Sequence, residues 1–161
     1  MIATRRFQTG SSLIEVLIAL FVLAVGMLGV LAMQSTAVKT SKNASLQSQA
    51  QILAFEIYEA MQSAPADIID DYLLDYGAPT PNEPSCTTSG TACTSAEIVD
   101  WNQYQWLTNI TASLPGGAGA VGRGAQPDEY IIRIQFATGY EESDSGDVTA
   151  INDEVLLTLM L

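Results

Sequence analysis

The amino-acid sequence predicts an α+β fold, in which one long N-terminal helix packs against a small antiparallel β-sheet. Three observations lead to this prediction: an apolar run near the N-terminus, an amphipathic helical pattern directly after it, and strand-forming segments near the C-terminus. The chain has 161 residues, of which 48% are hydrophobic and 15% are charged, so it fits one domain of ordinary size.

The composition excludes several classes of protein before any motif is considered. The chain has 18 acidic and 6 basic residues, and its formal charge of −12 disfavours nucleic acid and anionic lipid headgroups as partners. It has no histidine, which excludes the common serine and cysteine nucleophile arrangements and every histidine-based zinc site. Two cysteines are too few for a zinc ribbon or an iron–sulfur cluster. We therefore expect no catalytic residue, no metal ligand and no cofactor.

The first element is an 18-residue run without a charged or polar side chain, over residues 16–33. As a helix this run would be about 27 Å long, close to the hydrocarbon thickness of a bilayer. The alternative is a buried core helix, but core helices usually keep a polar stripe. The run is also longer than the apolar region of a cleavable secretory signal. We therefore predict a retained membrane anchor, with Arg5 and Arg6 on the cytoplasmic side and the acidic remainder exported.

The helix is predicted to continue beyond the membrane, because residues 34–64 contain neither proline nor glycine. Apolar residues recur there at steps of three or four, and Pro65 is expected to end the helix. We predict one helix over residues 11–63, about 80 Å long, with two helices broken near residues 34–36 as the alternative. The apolar stripe consists of Leu46, Ala50, Leu53, Ile57 and Met61, widened by Ala54 and Tyr58.

The remaining residues, 65–161, are predicted to form a globular head that covers this stripe. Residues 67–93 are rich in proline and acidic residues and are predicted to be irregular. A helix is predicted over residues 96–114, and strands over residues 118–122, 130–136 and 155–161, with a loop at 138–147. These strands would form a three-stranded antiparallel sheet. The larger apolar residues of the helix are Trp101, Tyr104, Trp106, Leu107 and Ile110.

Acidic side chains crowd the predicted loop and the segment after it. Their spacing is not that of an EF-hand, so we interpret them as a solvated loop, and calcium binding stays open as the alternative. Nothing fixes two of these carboxylates across a cleft, as a glycosidase requires. The residues are Glu141, Glu142, Asp144, Asp147, Asp153 and Glu154.

Cys86 and Cys93 are separated by six residues rich in serine, threonine and glycine. In an exported head we expect them to form an intrachain disulfide. The alternative, two free thiols or a redox pair, would require a reducing compartment or closer spacing.

Glu15 stands at the start of the apolar run, where a carboxylate must lie near the membrane surface, be protonated or pair with a cation. The string TGSSLIEVLIALFVLAVGML, residues 9–28, resembles the class III signal of type IV prepilins and pseudopilins. The resemblance implies that residues 1–10 are a leader, that a prepilin peptidase and N-methyltransferase cleaves after Gly10, and that it methylates the new amine of Ser11. Serine at this position departs from the family, where phenylalanine is commonest.

The resemblance also implies a role in subunit assembly for Glu15, the fifth residue of the processed chain. In a filament of packed helices, the protonated amine of an incoming subunit can pair with Glu15 of a subunit already present. Such a pair offsets the desolvation of both charges. Residues 11–33 would then be the transmembrane half of the helix and residues 34–64 its amphipathic half.

Within the family, the order of features resembles the minor pilins of the PilV class, the type IV pilus modification proteins. The likeness is strongest over residues 9–62 and weaker over residues 86–136. It implies a type IV pilin-like fold and a minor pilin in a tip or priming complex. The implied partners are other minor pilins, the major pilin, the bacterial inner membrane and a tip adhesin. The head would be periplasmic until the protein enters the extracellular pilus.

The sequence is compatible to different degrees with two other functions. A minor pseudopilin of a type II secretion system shares the N-terminal signal entirely and is the closer alternative. A membrane-anchored enzyme is disfavoured, because the chain lacks histidine and any nucleophile motif such as G-x-S-x-G.

Overall fold

The computed structural model describes residues 12–143 and 147–161. These residues divide into two compact units, one up to Lys42 and one from Asn43 onwards, which are described separately. The elements in chain order are helix α1 (Leu13–Ser63), a 3-10 turn (Ile69–Tyr72), helices α2 (Cys86–Ser89) and α3 (Ser95–Ser113), and strands β1 (Ala118–Arg123), β2 (Glu129–Glu142) and β3 (Val148–Met160).

Helix α1 is one α-helix over Leu13–Ser63 and continues through residues 34–36, so the alternative of two helices is wrong. It ends two residues before Pro65, as predicted, because proline cannot supply the backbone N–H that another helical turn would need. The Ala64 N–H donates to the Met61 carbonyl at 3.1 Å and closes the last turn.

In the unit from Asn43, the predicted apolar stripe of α1 is buried and forms one side of the core. Trp106 of α3 is completely buried against it, and its Nε1–H donates to the Leu53 carbonyl at 2.8 Å. This bond satisfies the indole N–H and ties the side chain of one helix to the backbone of the other. The buried stripe residues are Leu46, Ala50, Leu53, Ala54, Ile57 and Met61, with Tyr58 partly buried beside them.

The three strands form the predicted antiparallel sheet in the order β1-β2-β3. Val121, Ile132 and Leu157 lie side by side across the three strands. The even-numbered residues from Tyr130 to Phe136 are buried, whereas the odd-numbered residues between them are only partly buried. This alternation places one face of β2 in the core.

Strand β1 is one residue longer than predicted, and β2 and β3 are much longer, so the predicted loop over residues 138–147 is wrong in part. Strand β2 continues to Glu142, and β3 begins at Val148, with Glu142 paired to Val148 and a register shift between Ala137 and Gly139. This end of the hairpin is held by backbone pairing, while the described side chains of residues 141–152 are exposed. Because neither face is buried, the segment lacks the apolar alternation by which strands are recognised.

The segment between α1 and α3, predicted to be irregular, contains the 3-10 turn and the short helix α2. Helix α3 begins and ends one residue earlier than predicted. A long apolar N-terminal helix with a small three-stranded antiparallel sheet confirms the predicted α+β class and is consistent with a type IV pilin-like fold.

Candidate functional site

The candidate functional site is the N-terminal part of α1, which belongs to the unit up to Lys42. From Leu13 to Met33 every side chain is exposed, and the large apolar ones expose between 47% and 86% of their surface. Among the residues that the structure describes, α1 is the one helix that is long and apolar enough to cross a membrane. A helix that is apolar on all sides is typical of a segment surrounded by lipid or by other apolar helices.

Glu15 lies in the first turn of α1, and its backbone N–H donates to the Ser12 carbonyl at 2.9 Å. The positive end of the helix dipole favours a carboxylate at this position. The next acidic residue in the chain is Glu56, far along the helix, so the apolar segment carries its single negative charge at its N-terminal end. Such a carboxylate can hold a cation at the edge of the apolar region.

Gly10 and Ser11, the residues of the predicted cleavage and methylation site, lie outside the described residues. Cleavage after Gly10 and methylation of Ser11 therefore stay predictions. With Ser11 as the new N-terminus, the amine would precede Glu15 by four residues in sequence.

In the head, Cys86 and Cys93 form a disulfide, with their Cα atoms 5.2 Å apart. Helix α2 begins at Cys86, and Gly90 then turns the chain with a φ of 71°, a left-handed conformation that favours glycine. The bond therefore closes a small loop in the irregular segment just before α3.

Helix α3 starts with a capping box directly after this loop. The Glu97 N–H donates to Thr94 Oγ1 at 3.3 Å, and the Thr94 N–H donates to Glu97 Oε2 at 2.8 Å. The hydrogen bonds from the Thr94 backbone and side chain lower the pKa of Glu97. Threonine followed three residues later by glutamate is the sequence signature of this cap.

A polar cluster that sequence analysis did not predict links the 3-10 turn to the sheet. Tyr130 Oη donates to Asp70 Oδ1 at 2.8 Å, and the Arg123 guanidinium donates to both oxygens of the same carboxylate. The hydrogen bond from Tyr130, followed by that from Arg123, lowers the pKa of Asp70. Asp70 is 53 positions from Arg123 and 60 positions from Tyr130, and no local sequence pattern predicts a contact between residues so far apart.

A second unpredicted contact covers the outer face of the sheet. Tyr76 Oη donates to Glu154 Oε1 at 2.8 Å, and the Arg133 guanidinium lies 5.3 Å from the centre of the Tyr76 ring. Burial, reinforced by the hydrogen bond to Glu154, raises the pKa of Tyr76. These two contacts fix the segment after the 3-10 turn against the sheet.

The acidic residues that were predicted to share a loop belong in part to the strands of the hairpin. Glu141 and Glu142 belong to β2, Asp147 immediately precedes β3, and Asp144 lies outside the described residues. Within residues 12–143 and 147–161, no group of three or more acidic or cysteine side chains is placed to hold a metal ion.

In a comparison with known families, residues 5–31 match the prokaryotic N-terminal methylation motif. The chain carries a pilin-type processing signal. The matched residues include Gly10, Ser11 and Glu15. Neither a curated protein nor a solved structure matches the chain significantly.

The methylation motif supports a member of the type IV pilin and pseudopilin family. It points to a structural protein rather than an enzyme, processed by a prepilin peptidase and assembled with other pilins. Together with the exposed apolar helix it indicates anchoring in a membrane and incorporation into a pilus.

Proposed function

We propose that the protein is a minor pilin, a structural and assembly component of the type IV pilus that is incorporated through its N-terminal helix. The observation that carries the proposal is the methylation motif over residues 5–31, which overlaps the exposed apolar first part of α1 and includes Glu15 in its first turn. A catalytic function would need reactive side chains around a cleft, whereas the distinctive chemistry of this chain lies at one end of a helix.

In the proposed maturation, the prepilin peptidase removes residues 1–10 on the cytoplasmic side and methylates the amine of Ser11. Residues 11–33 then hold the protein in the inner membrane as a single span. Residues 34–64 continue the helix into the periplasm, and residues 65–161 form the exported head. The position of Arg5 and Arg6 before the span supports this orientation, because basic residues favour the cytoplasmic side.

Assembly then depends on charge. The methylated amine of Ser11 is a cation at the edge of an apolar helix, and transfer of that cation into a bundle of helices costs free energy unless an anion meets it. Glu15 of a neighbouring subunit supplies that anion. Because amine and carboxylate lie at different heights on each helix, their pairing sets the axial offset between adjacent subunits.

The proposal places the protein in the PilV class of minor pilins, where it joins other minor pilins in a complex that primes the pilus and occupies its tip. The major pilin extends the filament beneath this complex, and an adhesin is a candidate partner at the tip. The support is the sequence resemblance over residues 9–62 and 86–136, together with the α+β fold of the head.

The first experiment determines the N-terminus of the protein extracted from membranes of cells with an active prepilin peptidase. We expect a chain that begins with N-methylated Ser11, measured by intact mass and N-terminal peptide mapping. Cells that lack the peptidase provide the control, in which the chain should keep Met1. A chain that keeps Met1 in both strains would overturn the proposal.

The second experiment tests the role of Glu15. Glu15→Leu should enter the membrane like the wild type but be strongly depleted from sheared pili, because the incoming amine then loses its partner. Glu15→Asp, which keeps the charge, should restore part of the incorporation. Quantitative immunoblots of membrane and pilus fractions measure both, and equal amounts of Glu15→Leu and wild type in pili would exclude this role.

A minor pseudopilin of a type II secretion system is the second candidate, because the methylation motif is common to both assemblies. A deletion strain separates them. Loss of twitching motility and of surface pili supports the type IV pilus, whereas loss of enzyme secretion with normal motility supports the pseudopilus.

A further inference from the structure

The sheet of the head has two edges, and they differ in how they are covered. At the β1 edge, Leu74 exchanges two backbone hydrogen bonds with Val121, at 2.9 and 2.8 Å. At the other edge, β3 is the last strand of the sheet, and no further strand pairs with it in the described part of the chain. Strand β3 has 13 residues, which is long for an edge strand without a partner.

The backbone geometry shows which groups of β3 face the open edge. The Leu161 N–H donates to the Asp128 carbonyl at 3.0 Å, and hydrogen-bonded pairs alternate along antiparallel strands. Odd-numbered residues of this part of β3 therefore bond to β2, and even-numbered residues direct their N–H and carbonyl groups outward. The outward N–H of Glu154 donates to Asp153 Oδ1 at 2.9 Å. The edge is thus open from Leu156 to Met160.

An apolar groove runs beside this open segment, between β3 and the part of α1 that belongs to the unit from Asn43. It has a volume of about 300 Å³ and is lined by Gln51, Ala54, Phe55, Val155, Leu156 and Leu157. Phe55 and Leu156 are 51% and 59% exposed, and Ile52 on α1 and Met160 at the end of β3 are 66% and 68% exposed. A strand added to β3 would place alternate side chains toward this groove and the others beside Leu156 and Met160.

The charge of the unit from Asn43 indicates which charge an added strand should carry. Residues 43–161 contain 17 of the 18 acidic residues of the chain but only two basic ones, Arg123 and Arg133. Both arginines already have partners, Asp70 for Arg123 and the ring of Tyr76 for Arg133. Asp153 and Glu154 lie three and two residues before the first residue of the open segment, Leu156. A second copy of this head would bring acidic surface against acidic surface, which is unfavourable, whereas a basic residue at this end is complementary.

We propose that the open edge of β3 binds, by β-strand addition, an extended segment of another protein that has apolar residues at alternate positions and a basic residue at the end next to Glu154. The outward backbone groups of Leu156, Thr158 and Met160 supply the hydrogen bonds. The groove beside Phe55 selects the apolar side chains. This interaction surface lies entirely in the unit from Asn43 and does not depend on the proposed role of the apolar part of the N-terminal helix.

The test uses the full chain in detergent and a fluorescein-labelled probe peptide of ten residues, with alternating valine and threonine and a lysine at each end. A matched peptide carries glutamate in place of both lysines. Fluorescence anisotropy measures binding, and hydrogen exchange measures the amides of β3. We expect the lysine peptide to bind about tenfold more tightly than the glutamate peptide and to slow exchange at Leu156, Thr158 and Met160.

Two substitutions at one position separate backbone pairing from side-chain contact. Thr158→Pro removes an outward N–H that β2 does not use and should weaken binding of the lysine peptide about tenfold. Thr158→Val keeps that N–H and should bind like the wild type. Thermal melting of each variant shows whether the sheet is intact. If Thr158→Pro does not fold, Phe55→Ser tests the proposal instead. It removes an apolar side chain from the groove, leaves β3 unchanged and should weaken binding of the lysine peptide by a similar factor.

Three results would overturn the proposal. They are equal binding of the two peptides, wild-type binding by a folded Thr158→Pro or by Phe55→Ser, and self-association of the full chain that Thr158→Pro abolishes. The last result, seen by sedimentation, would assign the edge to a second copy. Pilus incorporation is measured in parallel, and we expect Thr158→Val to match the wild type in both assays. Peptide binding is measured on the purified chain and incorporation in cells, so failure of the edge and failure of the pilin proposal are distinguishable.

Discussion

At the scale of single residues, the contact between Gly119 of β1 and Trp106 of α3 shows how closely the head is packed. A Cβ atom on Gly119 would lie 2.6 Å from Cη2 of Trp106 and 2.8 Å from Cδ1 of Ile110. Both neighbours are completely buried and cannot move aside without disturbing the core. Glycine at this position therefore allows α3 to lie directly on the sheet.

We expect Gly119→Ala to lower the free energy of unfolding by about 1–3 kcal/mol, the usual cost of overpacking a dense core. Gly122→Ala is the matched control on the same strand, because its Cβ would meet Arg133 Nη2 at an ordinary 3.7 Å. Urea denaturation of the full chain in detergent, followed by circular dichroism, measures both variants. Equal stability of Gly119→Ala and Gly122→Ala would contradict the close packing of Gly119 against Trp106.

Asp70 makes stability depend on pH. Its pKa lies below the ordinary value of 3.8 because Tyr130 and Arg123 donate hydrogen bonds to the charged carboxylate. A group whose folded pKa is lowered stabilises the fold above its unfolded pKa, and that stabilisation disappears as pH falls through the folded pKa. The contribution of Asp70 is therefore complete at neutral pH and declines below about pH 4.

We expect Asp70→Asn to be less stable than the wild type at pH 7 and the difference to shrink as the pH is lowered from 5 to 3. Denaturation midpoints at each pH measure this, and the comparison with wild type cancels the titration of the other carboxylates. Asp67→Asn, which removes an exposed carboxylate outside the cluster, is the control. A difference that grows on acidification would mean that the folded state does not favour the charged form of Asp70.

At the scale of elements, the sequence predicts best those segments in which buried apolar residues recur at a regular spacing. The stripe on α1, the helix α3 and the apolar parts of β2 and β3 were predicted because each buries one face, and burial leaves a period in the sequence. The strand residues next to the turn of the β2–β3 hairpin were not predicted as strands, because they are held by backbone pairing and both faces of the hairpin are exposed there. The Asp70 cluster was missed because its partners meet only after folding.

The functional features also differ in whether the sequence could predict them. The position of Glu15 at the start of an apolar helix is visible in the sequence, because both charge and hydropathy are local properties. The disulfide of Cys86 and Cys93 was also predicted, since a chain with two nearby cysteines has one intrachain pairing. The open edge of β3 could not be predicted, because it depends on the strand order and on Leu74 covering the opposite edge.

The disulfide gives a prediction at this scale. Replacing both Cys86 and Cys93 with serine should lower the free energy of unfolding by about 2–3 kcal/mol, because the closed loop restricts the unfolded chain. Chemical denaturation of the full chain measures the loss. Reduction of the wild type should produce the same change and add the mass of two hydrogen atoms, whereas the serine variant should not respond. An unchanged stability of the wild type after complete reduction would show that the bond does not stabilise the head.

At the scale of the whole molecule, the chain combines an apolar N-terminal segment with a strongly acidic head. The apolar residues 16–33 carry no charge, while the chain as a whole has a formal charge of −12. Two regions of such different hydropathy require different surroundings, a membrane or a bundle of helices for one and water for the other.

We expect the double substitution Leu23→Asp and Met27→Asp to prevent membrane insertion, because each aspartate near the centre of the span costs about 2.5–3.5 kcal/mol. Alkaline extraction of membranes, followed by immunoblotting, measures the fraction that stays inserted. Leu23→Ile with Met27→Leu is the matched control and should remain in the membrane pellet. Retention of the aspartate variant at the wild-type level would argue against a span over residues 16–33.

Because the two tryptophans are buried to different extents, their intrinsic fluorescence reports whether the head is folded. Trp106 is completely buried, whereas Trp101 is only partly buried and stacks on Tyr104 with ring centres 5.7 Å apart. A soluble quencher such as acrylamide therefore reaches the indole of Trp101 first, and the emission of Trp106 shifts to the red only when the core opens. Because the chain has no other tryptophan, the intactness of the head can be followed by intrinsic fluorescence without any label.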